Sequence, residues 1–151
     1  MAVDFRNSET KDNLMRAFAG ESQARNRYTF AAAQAKKKNQ AAISQVFLYT
    51  ADQEKEHAEI FYHHLKELAG ETIHVDGGYP VDLTEDLAQL LRMAQHNDYE
   101  EHDVVYRQFG DKAKEEGFGA VAASFHMIAE IEKYHGDRFG RFAQWLEEQK
   151  L

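Results

Sequence analysis

A chain of 151 residues with a net charge of −8 and no cysteine is expected to form a single domain over residues 1–151 that buries roughly 70% of its unfolded surface. Its composition excludes disulfides, thiolate zinc sites and cysteine-held iron–sulfur centres, and an acidic chain without a basic face is a poor nucleic-acid binder. The opening MAVDFRNSETKDN lacks the basic and apolar regions of a signal peptide, and no run of ~18 apolar residues could span a membrane, so the expectation is a cytoplasmic protein that engages neither nucleic acid nor membrane.

Thr10 is placed to cap a first helix, with Asp12 in its first turn, and Lys36, Lys37 and Lys38 fall at its end, where cations complement the helix dipole. This helix is expected from about residue 11 to 38, and its stripe reads Leu14, Phe18, Glu21, Arg25, Tyr28. A second helix, from about 41 to 69, carries Ile43, Phe47, Thr50, Glu54, His57, Phe61, His64 and Leu68 and stops at Gly70. The linker from Gly70 to Pro80 contains the sole proline. Thr84 then caps a third helix, from about 85 to 115, with Leu87, Leu91, Ala94, Asp98, Glu101 and Val105 on one stripe and Gly117 as its stop. A fourth, from about 119 to 148, presents Val121, Phe125, Ile128, Glu132, His135, Phe139, Phe142 and Leu146. Spacings that alternate three and four are those of nearly antiparallel packed helices. Short outer links around one long middle connection predict an all-α, ferritin-like four-helix bundle, two antiparallel hairpins joined by a long crossover.

Glu-x-x-His occurs twice, as Glu54/His57 and Glu132/His135, 78 residues apart; Glu21 precedes the first copy by 33 residues and Asp98 the second by 34. The chain therefore reads as one helical hairpin written twice. Residues three apart share a helix face, so each glutamate and its histidine reach one site. An unpaired buried carboxylate is strongly disfavoured, yet five acids lie on the stripes, Arg25 alone cannot balance them, and no lysine lies near them there. Two divalent cations would. Carboxylates with one imidazole per metal suit iron or manganese better than calcium or zinc. Glu54 and Glu132 are natural bridges, and Glu21 and Asp98 terminal ligands. Glu101 has no acidic counterpart at Gln23 or Ala24 in the first half; as a spare ligand facing His57 it would let a metal exchange nitrogen for carboxylate when its oxidation state changes. Tyr28 and Tyr106, one or two turns from the ligands, are placed to hydrogen-bond to them. His63, His96 and His126 fall off the stripes and are expected in solvent; His64 has no accompanying acid, and His74 and His102 are assigned no metal.

At residues 17–28 (AFAGESQARNRY), 52–58 (DQEKEHA), 98–106 (DYEEHDVVY) and 128–135 (IAEIEKYH) the chain resembles the four ligand segments of the rubrerythrins, and the resemblance extends over about residues 8 to 148. It implies a non-haem diiron peroxidase that reduces hydrogen peroxide to water, with two iron ions per chain, in a homodimer. One iron would move between a histidine and a glutamate, His57 and Glu101 by motif position, and His57 off the metal would carry a proton. Asp98 stands where the family usually has glutamate. Many members carry a four-cysteine rubredoxin-like domain and no cysteine occurs here: either the electrons come from a separate rubredoxin or similar carrier, the expected donor, or the sequence is a piece of a longer chain. The alternative reading is a ferroxidase or iron-storage protein, which would need a hollow multimer.

Overall fold

Ser8, not Thr10, opens the first helix: its Oγ accepts the Lys11 amide at 3.0 Å. The computed structural model describes residues 3–151, in which α1 spans Glu9–Lys37. Thr10 is buried just inside the helix, where its amide and hydroxyl donate to Glu116 Oε1 at 2.8 and 2.5 Å, and the Glu9 amide donates to Glu116 Oε2 at 3.0 Å. A carboxylate from the far hairpin thus satisfies amides that a helix N-terminus leaves unpaired. Arg25, expected on the inner stripe, is exposed; the small Ala24 takes the inward position between Glu21 and Tyr28.

Helix α2 spans Ala41–His63, shorter than expected, and a 3-10 turn follows at Lys66–Leu68. Leu65 and Leu68 are both buried; residues three apart eclipse in a 3-10 turn, so tightening the chain here aims both leucines inward. The crossover then lies along α1, with Arg16 donating to the Asp76 carbonyl at 2.9 Å, Tyr79 to the Arg16 carbonyl at 2.9 Å, and Gln34 to the Thr84 carbonyl at 2.8 Å. Asp86 rather than Thr84 caps α3 (Leu87–Glu100), accepting the Gln89 amide at 3.2 Å. The third helix is not continuous. A π-helical turn at Glu101–Val105 separates α3 from α4 (Tyr106–Glu115). Gly117, at φ +95°, ends α4, with the Phe118 amide bonded back to the Ala113 carbonyl; α5 spans Gly119–Glu147.

Helices α1 and α2 form one hairpin and α3–α4 with α5 the other, the ferritin-like arrangement, and among the described residues there is no strand. No described helix is long and apolar enough to cross a membrane. Leu14, Ala17 and Glu21 match Leu91, Ala94 and Asp98 at an offset of 77, whereas Tyr28, Phe47, Glu54, His57 and Phe61 match Tyr106, Phe125, Glu132, His135 and Phe139 at 78. The π turn falls where the offset changes. Each end of the core is closed by an aromatic cluster drawn from both repeats: Phe47, Phe139 and Tyr28 at one end, with the phenylalanine rings 5.2 Å apart, and Phe61, Phe125 and Tyr106 at the other, with those rings 5.0 Å apart. The second hairpin closes tightly because Gly136 leaves room for Tyr99, whose ring would lie 2.6 Å from an added Cβ.

Burial would raise the pKa of Glu116, but the bonds from Thr10 and the Glu9 and Thr10 amides, with Lys112 nearby, hold it below its ordinary value. A depressed carboxyl stabilises the fold above the ordinary carboxylate range and loses that contribution as pH falls through its folded value. Glu116→Ala is therefore expected to lower stability by roughly 1–2 kcal/mol at neutral pH, with the two proteins converging in acid; urea denaturation across the pH range measures both.

Candidate metal centre

Between the two aromatic clusters lie two groups of side chains whose metal-binding atoms all fall within 4.8 Å of one another: Glu21, Glu54, His57 and Glu132, and Asp98, Glu132 and His135. All six residues are buried, Glu54 and Glu132 completely. Glu132 belongs to both groups, with Oε1 3.0 Å from His57 Nδ1 and Oε2 3.4 Å from His135 Nδ1. Glu54 Oε1 is 3.0 Å from His135 Nδ1, although its own motif partner is His57, so both motif glutamates occupy the middle. Glu21, 3.6 Å from His57 Nδ1, and Asp98 flank them. Glu101 lies outside both groups, in the π turn, with Oε2 buried.

Burial, reinforced by the neighbouring acids, pushes Glu54, Glu101 and Glu132 well above the ordinary carboxylate range. Burial likewise raises Asp98 to about 8, against opposing contacts from Glu132 and Tyr28. Glu21 is the exception: burial acts upward, but contacts with Glu54, His57 and the Tyr106 hydroxyl bring it below its ordinary value. His135 is lowered to about 3 by burial, with His57 and Arg138 adding to the effect, and is neutral at physiological pH. Glu21 Oε2, both oxygens of Glu54, Asp98 Oδ2, Glu101 Oε2, Glu132 Oε2 and His135 Nδ1 are buried without a hydrogen-bond partner. Orphaned buried polar atoms are individually costly. Here the orphans converge, and every one of the carboxylate atoms is a lone-pair donor, so the set fits a cation held by oxygen and nitrogen.

The tyrosines cross between repeats. Tyr28 of α1 donates to Asp98 Oδ1 at 3.1 Å, and Tyr106 of α4 to Glu21 Oε1 at 2.5 Å. Burial and the adjacent acids raise both phenols well above their ordinary value, so each keeps its proton. Tyr28 follows Glu21 by seven residues and Tyr106 follows Asp98 by eight; the extra residue of the π turn brings Tyr106 onto the same inward face, and π turns recur at functional sites.

His135 is clamped from behind. Its Nε2 lies 2.6 Å from Gln53 Oε1, which also receives Arg138 Nη2 at 3.4 Å, and Arg138 donates to Thr50 Oγ1 at 2.8 Å. A guanidinium only donates, so the Gln53 oxygen must face this cluster and His135 must carry its proton on Nε2. Nδ1 is then left with a lone pair aimed at the acids. Among the described residues none clamps His57 Nε2 in this way.

Compared with known families, residues 12–143 match the one described as rubrerythrin. The chain belongs to the rubrerythrin family. It is 45% identical over 145 residues to the rubrerythrin of Clostridium perfringens, covering 95% of this chain and 74% of that protein, and 42% identical over 146 residues to rubrerythrin-1 of Clostridium acetobutylicum, with the same coverage. Among solved structures, fully reduced, all-ferrous nigerythrin superposes with a TM-score of 0.81 at 24% identity, over 93% of this chain and 71% of that one, a likeness of fold.

In this rubrerythrin-family chain the other histidines stay outside the cluster. His64 pairs with Ser124 at 2.8 Å, His102 with Asp103 and Glu130, and His126, only partly exposed, with Asp111; His63, His74 and His96 are exposed. Gln53 and Arg138 were not anticipated, because an amide and a guanidinium are not ligand types. The unequal spacings of 33 and 34 were the available signal for the π turn.

Because four of the acids hold protons to unusually high pH, divalent metal must displace protons to bind. Its affinity is expected to climb as pH rises through about 8, the value to which Asp98 is raised; calorimetric titration with manganese in buffers of different ionisation enthalpy should record the proton release. Gln53→Leu, which frees the His135 ring, is expected to lower affinity about 10–100-fold with the fold retained, as the same titrations and a thermal melt would show.

Proposed function

We propose that this chain is a hydrogen peroxide reductase that binds two iron ions and takes electrons from a rubredoxin or similar carrier. The carrying observation is the pair of interlocked clusters that share Glu132, with Glu54 between them. In this reading Glu21, Glu54, His57 and Glu132 hold one iron, and Asp98, Glu54, Glu132 and His135 the other, with Glu101 the alternative to His57. The position of Asp98 within the second cluster supports direct ligation despite its shorter side chain. Family membership and the relatives' names point the same way.

When bound, the reduced pair supplies two electrons to the O–O bond. The chain's own residues do the rest. The Tyr28 and Tyr106 hydroxyls fix the outer carboxylates through bonds that cross the two repeats. The aromatic clusters at either end keep bulk water from the charged centre, which strengthens each electrostatic contact there. Neutral imidazole suits the ferrous state and a carboxylate the ferric one, so His57 and Glu101 divide the two oxidation states between them. His57 Nδ1, 3.0 Å from Glu132 Oε1, holds a proton when it is not on the metal. A cytoplasmic homodimer completes the reading, with exposed Phe30, Val81 and Leu83 offering a second copy an apolar face.

Anaerobically reduced protein should be oxidised at least about tenfold faster by hydrogen peroxide than by dioxygen. Under the same conditions Glu101→Gln should keep two ferrous ions yet react about tenfold or more slowly. Stopped-flow spectra with iron analysis decide this. Faster reaction with dioxygen in a large hollow assembly would favour the ferroxidase reading, and a wild-type rate in the variant would remove Glu101 from its role.

A further inference from the structure

A cavity of about 340 Å³ opens between α1, the crossover and the π turn, and Glu101 and Tyr106 lie on its wall. It therefore borders the candidate metal centre through these two residues, while none of the six clustered residues lines it. A water molecule takes about 30 Å³ of liquid, so hydrogen peroxide would fill only a small part of this space, whose volume is that of a small-molecule site. Ala17, Val105 and Phe109 give it apolar walls. Arg16 and Arg27 also border it, but Arg16 is paired with Asp76 at 3.2 Å and Arg27 lies 3.6 Å from Asp82. With both cations engaged by the crossover, the lining favours a neutral molecule with an apolar body and a small polar head.

Gly20 shapes the passage. It lies in the interior of α1, where glycine is disfavoured relative to alanine. An added Cβ would sit 3.4 Å from the Tyr79 ring and 3.9 Å from the Tyr106 hydroxyl. The missing side chain leaves the gap between Tyr79 of the crossover and Tyr106 at the centre.

We infer that this cavity is a substrate chamber for organic hydroperoxides, with the hydroperoxy group at Glu101 and Tyr106 and the carbon body against Ala17, Val105 and Phe109 beneath Tyr79. The inference rests on the peroxidase reading and extends its substrate class. One hydroperoxide, two electrons and two protons give one alcohol and one water: the O–O bond breaks, the outer oxygen leaves as water, and the inner one stays on carbon as the alcohol. The electrons come from the same rubredoxin-type carrier and the protons from water in the chamber.

The test compares hydrogen peroxide with tert-butyl and cumene hydroperoxides on the iron-loaded full chain, in wild type and in Gly20→Leu, whose side chain enters the gap. Wild type should reduce the organic hydroperoxides with kcat/KM within about tenfold of that for hydrogen peroxide, and Gly20→Leu should lose about tenfold on the organic substrates alone. Independently of turnover, the unreactive alcohol 2-phenyl-2-propanol, added to zinc-loaded protein, should shift the NMR signals of Tyr79 and Phe109 in wild type and leave them in place in Gly20→Leu. Should thermal melting show that the leucine variant is misfolded, Gly20→Ala, whose methyl meets only ordinary contacts, must show the same selectivity to a smaller degree. Reduction of hydrogen peroxide without the organic substrates, equal losses on all three in the variant, or unmoved signals would overturn the chamber and leave the peroxidase reading standing. Failure with every peroxide would overturn both.

Discussion

Five carboxylates in a space closed at both ends by phenylalanines are the constraint on which the rest of this bundle depends. Each acid alone would be driven out or protonated, and the raised pKa values of four of them show how strongly the interior resists their charge. The bundle meets this in three ways. It holds one acid, Glu21, below its ordinary pKa beside donors; it lets the others rise above the ordinary carboxylate range; and it aims unpartnered oxygens at common points that a cation would occupy. Packing serves this arrangement. The aromatic clusters lie on either side, and the glycine at position 136 lets α3 approach α5 closely enough for Asp98 to reach Glu132 and His135.

The internal repeat explains why so few residue types suffice. Each tyrosine belongs to one repeat and holds an acid of the other, so neither hairpin completes its half of the centre alone. Glu116 does the same at the rim, where the second hairpin caps the helix of the first. The centre is complete only where the two hairpins meet.

Much of this was legible in the sequence because both the fold and the site are periodic: stripes at three and four, and motifs repeated at a fixed distance. What escaped was of three physical kinds. Arg25 and Ala24 both fall near the helical period after Glu21, and hydropathy gives little weight to a small alanine, so periodicity alone does not separate exposed Arg25 from buried Ala24. Ser8 and Thr10 are equally competent caps in isolation; the acceptor that engages Thr10 is 106 residues away. The early end of α2 follows from two leucines turning into the core together. The clamp on His135 was invisible for a different reason, since Gln53 and Arg138 act through orientation rather than through ligand chemistry.

The π turn carries a further implication, for how symmetry can be broken cheaply in a folded chain. One added residue inside an ordinary helix would rotate everything beyond it by about 100° and misalign half the core. Here the wider turn absorbs that rotation over Glu101–Val105, so Tyr106 still meets Phe61 and Glu21 across the bundle. A duplicated scaffold can thereby acquire one unmatched carboxylate while each end keeps its old contacts. Such a bundle separates its architecture from its reactivity: the repeated parts are free to drift together for stability, and the inserted turn can be tuned by itself.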